Sequence, residues 1–379
     1  MKAKILYVID NLEFGGGERG FAQLAGGLKD RYEIRFACQP GGPLGERLRE
    51  LGVAIRPVDF RRRVSPASIG RLLAILRAEG IDLVHSMGAR ADFSARIAAR
   101  LAGTPVVVST IAMFVGGYDI PPGRRLLYRA GIQLSERFCN GFIAVSEAIK
   151  HALVHDHRIP REKVVRIYNG VEPELFRAEG PDGLRLRREL GLDPEAPLVG
   201  TVGRLVYQKA QDVFLRAAST VAHSVPAAQF LIVGEGPLRS SLERLVAQLG
   251  LRRCHFAGFR ADIPRVLSIM DIFALPSILE GLPRVLLEAL ALARPVVATR
   301  IDGVTEVVQH GVTGLLVAPG EPTALAGAIL SLLMDQALAG QLGLAGRKLV
   351  EERFTVSRAV DEVDRFYATL LERKGTRRR

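Results

Sequence analysis

The sequence predicts an α/β protein made of two doubly wound, parallel-sheet domains. Three observations carry this. Short apolar runs alternate along the chain with longer amphipathic stretches, which is the pattern of strands joined by crossover helices. The 379 residues suffice for two full cores. Residues 272–306 read as strand, loop, helix, strand, loop, helix, which is half of such a sheet.

The first domain is expected over residues 1–175. Its strands are predicted at Ile5–Ile9, Ile34–Cys38, Val53–Pro57, Leu83–His85, Val106–Thr110 and Phe142–Val145. A helix opens near Glu18, after Gly15, Gly16 and Gly17, and others are expected at Ile69–Glu79 and Ala91–Ala102. Ser146 is placed to cap the next one. The Arg-rich stretch Arg177–Pro197 reads as linker, and residues 176–355 form the second domain. Its strands are predicted at Leu198–Gly203, Phe230–Gly234, His255–Gly258, Ile272–Leu275 and Pro295–Thr299. Pro276 ends one of these, and Gly281 and Pro283 turn the chain into a helix with Pro283 near its first position, where a missing N–H costs nothing. That helix is expected to reach about Ala293, with another opening near Val304. After the segment Gly311–Val317, helices fill out the domain, and Val356–Glu372 is amphipathic.

Composition bounds the function. Apolar residues make up 48% and charged residues 24%, as in an ordinary soluble protein. No 18-residue apolar span is present, and Lys2 and Lys4 lead into only five apolar residues before Asp10, so neither a membrane span nor a signal peptide is expected and the cytoplasm is the expected compartment. Cys38, Cys139 and Cys254 lack metal-ligand spacing and read as reduced thiols. The net charge of +12 is uneven: residues 1–175 carry +8, residues 176–372 are near neutral, and the tail 373–379 adds +5. Such a bias suits an anionic partner, whether membrane surface, phospholipid-linked acceptor or nucleic acid. Aromatic residues do not interleave with the basic ones, which argues against nucleic acid.

Two constellations carry chemistry. Arg204 and Lys209 follow a strand end, where both can reach one diphosphate, Arg with two prongs and Lys as a point charge. Glu280 and Glu288 stand eight apart, beside the amides of Gly281 and Leu282 that offer an anion site. A carboxylate accepts hydroxyl protons, which suits the diols of a ribose or hexose. The structural alternatives are a solvated loop for the cations, and for the acids a helix cap at Glu280 with Glu288 solvated. Gly15, Gly17 and Gly20 also satisfy G-x-G-x-x-G, but Ile34–Cys38 leads into Gln39 and Pro40 without the acidic residue that holds an adenosine ribose.

The stretch Ser277–Glu306 resembles the donor half of a glycosyltransferase of the GT-B fold, family GT4, in which S-x-x-E-G-x-P-x-V-x-x-E-A-x-A is followed by P-V-V-A-T and G-x-x-E. The matching residues are Ser277, Glu280, Gly281, Pro283, Val285, Glu288, Ala289, Ala291, Pro295–Thr299, Gly303 and Glu306. Gly15, Gly16, Glu18 and Arg19 resemble the G-G-x-E-R loop of the same family, and VGRLVYQKAQ resembles its G-R-L-x-x-x-K-G, with Ala210 where glycine is usual. Arg294 stands where the family has a small residue, which tells against a tight helix end there.

The resemblance implies two Rossmann-like domains facing across a cleft, with the C-terminal helix, 356–379, packing back on the first. It implies that Gly15 and Gly16 approach the donor diphosphate and that Arg204 and Lys209 bind its phosphates. The backbone around Phe259 and Arg260 would meet the base, Glu280 the hydroxyls of the donor sugar, the helix start at Gly281, with Leu282 and Pro283, the leaving diphosphate, and Glu288 the ribose. His85 ends a strand at the cleft and is the candidate histidine, since Met87 and Ala112 occupy slots where the family carries others. His151, His155 and His157 have a spacing that suits a metal but also suits exposed polar residues at a helix end.

The expected activity is a retaining, metal-independent transfer of a sugar from a UDP- or GDP-linked donor to a hydroxyl of a lipid-linked or cell-surface glycan, of lipopolysaccharide, capsule or exopolysaccharide type. No D-x-D constellation is present to hold a metal on the diphosphate, and no cofactor is expected. The alternatives are a GT-B protein that binds without catalysis and an NAD-dependent oxidoreductase. Arg124–Phe138 places Leu127, Gly131, Leu134 and Phe138 at helical spacing beside Arg124, Arg125, Arg129 and Arg137, so either a membrane-surface helix or an ordinary packed one is expected; Arg61–Arg63 favours the membrane surface, on its inner face.

Overall fold

A computed structural model describes residues 2–10, 15–62, 65–113, 130–176 and 181–375. The chain divides into two compact units, Met1–Gly170 together with Val356–Arg379, and Val171–Thr355.

The first unit holds strands β1 (Lys4–Ile9), β2 (Glu33–Cys38), β3 (Ala54–Pro57), β4 (Leu83–Met87), β5 (Val106–Ile111), β6 (Gly141–Ala144) and β7 (Val164–Arg166). They form one parallel sheet in the order β3-β2-β1-β4-β5-β6-β7. The helices between them are α1 (Gly16–Leu28), α2 (Gly42–Glu50), α3 (Pro66–Glu79), α4 (Ala89–Ala102) and α5 (Glu147–His155). Ser65 and Ser146 cap α3 and α5 through their hydroxyls, satisfying amides that a helix start leaves open. Strands covered by helices on both faces must be apolar throughout, and β1 is buried along nearly its whole length for that reason.

The second unit starts with α6 (Pro181–Glu189) and continues with β8 (Leu198–Val202), α7 (Gln211–Ser224), β9 (Gln229–Val233), α8 (Arg239–Gln248), β10 (Cys254–Gly258), α9 (Ile263–Ser268) and β11 (Ile272–Leu275). It ends with α10 (Arg284–Ala291), β12 (Val296–Thr299), β13 (Leu315–Val317), α11 (Pro322–Met334) and α12 (Gln336–Arg353). Its parallel sheet has the order β10-β9-β8-β11-β12-β13. The last helix, α13 (Val356–Arg373), belongs to the first unit and buries Val360, Val363, Tyr367, Leu370 and Leu371 there.

Several expectations need correction. The stretch read as linker contains α6, whose Leu186 is buried and whose Arg187 donates to the carbonyls of Pro194, Ala196 and Ile269 and to Asp271. No helix opens at Val304; the chain makes turns closed by Thr305 N–H to Ile301 O and Val308 N–H to Val304 O. Strand β7 was not anticipated. Arg63, Arg124, Arg125, Leu127 and Arg129 lie outside the described residues; residues 130–136 are helical, with Leu134 57% exposed. Among the described residues no single helix is long and apolar enough to cross a membrane.

Candidate active site

A parallel sheet whose strand order reverses leaves a crevice at the carboxyl ends of the two strands flanking the reversal. In the second unit these are β8 and β11, and the charged residues singled out in the sequence collect there. After β8 the chain passes Arg204, whose carbonyl accepts from the buried amide of Gln211 at 2.8 Å, and makes one 3-10 turn at Tyr207–Lys209 before α7 begins. Ala210 between them has φ 47 and ψ 45. This is left-handed backbone, which costs an alanine about 1–2 kcal/mol and a glycine nothing. The replacement of the family's glycine, which looked small in the sequence, therefore falls on a strained position.

That turn aims Lys209 across the crevice. Its ammonium lies 2.5 Å from Glu280 Oε1, and Ser277 Oγ donates to the same oxygen at 2.7 Å. The two loops are also joined by Ile278 N–H to Gln208 O at 2.9 Å. Ser277 is fully buried, and Thr299 at the end of β12 donates its hydroxyl to the Ser277 carbonyl. Gly303 has φ 79, and a Cβ there would lie 2.0 Å from Gly281 O, so the loop after β12 presses directly on the 280–282 backbone. Arg204 and Tyr207 are exposed at the rim.

Glu288 stands in the second turn of α10 at 1% exposure, bonded to Arg284 Nε at 3.0 Å. The alternative in which it is solvated on an outer face is thereby excluded. Helix α10 does close tightly, against the expectation drawn from Arg294: Ala293 takes φ 53, Ala293 N–H reaches Leu290 O at 2.8 Å and Arg294 N–H reaches Ala289 O at 3.0 Å. The arginine tolerates this because its guanidinium bonds the Met270 carbonyl at 3.0 Å. Beyond β10, Phe259 is half-exposed, while the Arg260 side chain is clamped by Asp262 and Glu189.

In the first unit the reversal lies between β1 and β4. Gly15 and Gly16 stand at the start of α1, with Gly15 N–H bonded to the Glu18 carboxylate at 2.8 Å. Beside them Asp10 packs so closely on Gly88 that a Cβ at that position would lie 2.0 Å from Asp10 Oδ1. Burial pushes the Asp10 carboxyl up to about 7, with the Asp92 charge adding to it and Arg90 opposing.

His85 is not at a strand end. Strand β4 continues to Met87, and the imidazole is fully buried between Tyr367 of α13 and Thr110 of β5, bonded to both hydroxyls. Burial lowers its pKa to about 3, so the ring is neutral. Thr110 in turn lines a cavity of about 50 Å³ with Met87 and Phe21. His151 and His155 stack on one another, and His157 bonds Glu136 at 2.9 Å. Among the described residues no group of three His, Cys, Asp or Glu could hold a metal.

Comparison with known proteins agrees with this arrangement. The model of the Glycosyltransferase Family 4 matches residues 14–175, and that of the Glycosyl transferases group 1 matches residues 196–335. A UDP-Gal:alpha-D-GlcNAc-diphosphoundecaprenol alpha-1,3-galactosyltransferase of Escherichia coli is 27% identical over 353 residues, covering 91% of each chain. A GDP-mannose-dependent alpha-(1-6)-phosphatidylinositol monomannoside mannosyltransferase of Mycolicibacterium smegmatis is 30% identical over 300 residues, 74% of this chain and 75% of that one. The crystal structure of Anabaena Alr3699/HepE in complex with UDP and glucose superposes with a TM-score of 0.86 at 25% identity, covering 97% of this chain and 100% of the other. The dinucleotide reading of the Gly15 loop gives way to these matches. With two parallel Rossmann-like sheets, and with Lys209 meeting Glu280 at the reversal of the second, the chain belongs to the family 4 (group 1) glycosyltransferases of GT-B fold and is an enzyme of the hexosyltransferase type.

Proposed function

We propose that the enzyme transfers a hexosyl group, with retention and without a metal, from a UDP- or GDP-linked sugar to a hydroxyl of a lipid-linked or cell-surface glycan. The observation that carries this reading is the meeting of Lys209 with Glu280 at the β8–β11 reversal, with exposed Arg204 in the same loop as Lys209 and buried Glu288 in the helix that follows Glu280. Arg204 and Lys209 bind the diphosphate, Glu280 the donor sugar and Glu288 the ribose. Gly281, Leu282 and Pro283 offer backbone to the leaving diphosphate, Phe259 and Arg260 to the base, and Gly15 and Gly16 to the diphosphate. The solved Anabaena relative with UDP and glucose and the galactosyl and mannosyl relatives support a nucleotide-sugar donor.

In the reaction the bond from the anomeric carbon to the diphosphate breaks, its electron pair stays on the phosphate oxygen, and the acceptor oxygen forms the new bond while its proton leaves. Negative charge grows on the leaving diphosphate, and Arg204 and Lys209 stabilise it where it develops. Positioning of donor and acceptor supplies the rest. His85, buried and neutral, contributes no proton in this account. The protein works in the cytoplasm, peripheral to the inner face of the membrane; the +8 charge of residues 1–175 supports an anionic surface as partner.

Incubation with a panel of UDP- and GDP-sugars and lipid-linked or soluble acceptors tests the reading. Acceptor-dependent release of UDP or GDP, with an α-linked product from an α-linked donor and no loss on chelation, is the expected result. Failure of every nucleotide sugar to bind contradicts it.

A further inference from the structure

Glu280 is held on one oxygen only. Lys209 Nζ at 2.5 Å and Ser277 Oγ at 2.7 Å both donate to Oε1, while Oε2 accepts nothing among the described residues. The two donors differ in kind. Lys209 sits on a flexible stem with its side chain 21% exposed, whereas Ser277 is fully buried. Ser277 is in turn fixed from outside its own loop: the Thr299 hydroxyl donates to its carbonyl, and Ile278 N–H ties the next residue to Gln208. A short hydroxyl on a fixed backbone sets the plane of a carboxylate in a way that a lysine cannot.

Resting on the reading that Glu280 meets the donor sugar, we propose that Ser277, anchored by Thr299, is the positioning residue of the donor-sugar subsite: it pins Oε1 so that Oε2 is presented to a sugar hydroxyl and Lys209 keeps a proton for the diphosphate. An ammonium has three donors, and one spent on Glu280 leaves two for phosphate oxygens. Without Ser277 the carboxylate turns onto Lys209 alone. The sugar hydroxyl then loses its acceptor geometry, and the lysine is drawn away from the phosphate. The consequence falls on the sugar-bearing donor and its transition state, not on the nucleotide.

The test uses the full chain with the nucleotide sugar that gives the largest thermal shift, and with its nucleoside diphosphate. Ser277→Ala is expected to lower kcat/KM by about tenfold to a hundredfold, as for loss of a hydrogen bond to a charged group, while the Kd of the nucleoside diphosphate changes less than about twofold. Ser277→Cys, similar in size but a weak donor, follows the alanine variant; Ser277→Thr, which keeps the hydroxyl, recovers activity. Thr299→Val shows the same split at a smaller size. Unchanged kcat/KM in Ser277→Ala, or equal losses in Ala and Thr variants together with nucleotide affinity and thermal midpoint, overturns the proposal. Glu280→Gln separates the two levels. Full activity in that variant removes the sugar role of Glu280 and the relay with it, whereas loss there with an active Ser277→Ala removes the relay alone.

Discussion

The two sheets reverse their strand order in the same way, yet they treat the reversal differently. In the first unit Asp10 fills it, pressed onto Gly88 at the start of α4, and the polar groups around it turn inward. Arg96, at 1% exposure, donates to Ser109 at 3.0 Å and Ser135 at 3.3 Å and lies 3.6 Å from Asp92; Ser86 bridges Asp92 and Ser109. His85 joins β4 to Tyr367 of α13, and Tyr367 to Tyr7 of β1. In the second unit Arg204 and Tyr207 stay exposed at the rim and Lys209 reaches over the strand ends, while Glu288 is buried beside Arg284. Buried polar groups must be satisfied by the protein itself, and the Arg96 and His85 networks, satisfied in this way, hold the fold. Groups kept at a crevice are left for a ligand.

Substitutions should therefore separate stability from activity along this line. Arg96→Met strands the Asp92 carboxylate in the interior and should lower unfolding stability by about 3–5 kcal/mol, read as a fall in denaturation midpoint, while the folded fraction still binds nucleotide. Lys209→Ala should leave that midpoint nearly unchanged and slow turnover by a factor corresponding to roughly 3–4 kcal/mol. An effect confined to KM would show that the charge serves ground-state binding instead.

Asp10 sharpens the comparison through pH. Its folded pKa of about 7 lies above the ordinary 3.8, so between these values the folded state keeps a proton that the unfolded chain releases. Stability should fall as pH rises through this window and level off above it. Asp10→Asn should remove the slope, with a gain over wild type small near pH 4 and reaching about 4 kcal/mol near pH 8. Parallel curves for the two proteins would show that Asp10 is not protonated when folded. The smallest effect is expected at Ala210, where φ is 47. Ala210→Gly relieves the left-handed strain but loosens the unfolded chain, for a net gain of no more than about 1 kcal/mol, measured by thermal midpoint.

Much of the scaffold was legible because strands buried on both faces are apolar without interruption: β11 falls on the expected residues, and β1, β2, β9 and β12 lie within one residue of theirs. Strand β7 was hidden because only two apolar residues, Val164 and Val165, stand between Lys163 and Arg166. Helix α6 was masked by three arginines, one of which, Arg187, turns out to anchor it. His85 was misplaced because β4 runs two residues beyond the expected end at His85, through Ser86 to Met87. The spacing of Glu280 and Glu288 stands in the sequence, but their surroundings do not: Lys209 and Glu280 are 71 residues apart and Thr299 lies 22 residues from the carbonyl it holds. Only the folded sheet brings such pairs together, and no local pattern announces them.

The central claim is that the nucleotide is held by the carboxylate and cations at the second sheet's reversal. Isothermal titration of UDP and GDP into the wild type and into Glu288→Gln, a variant that keeps the packing beside Arg284, tests it most directly. The nucleotide bound by the wild type is expected to bind the folded variant at least about tenfold more weakly, with a lowered unfolding midpoint because the buried pair with Arg284 is lost, while Arg96→Met retains wild-type affinity. Unchanged affinity in Glu288→Gln would contradict it.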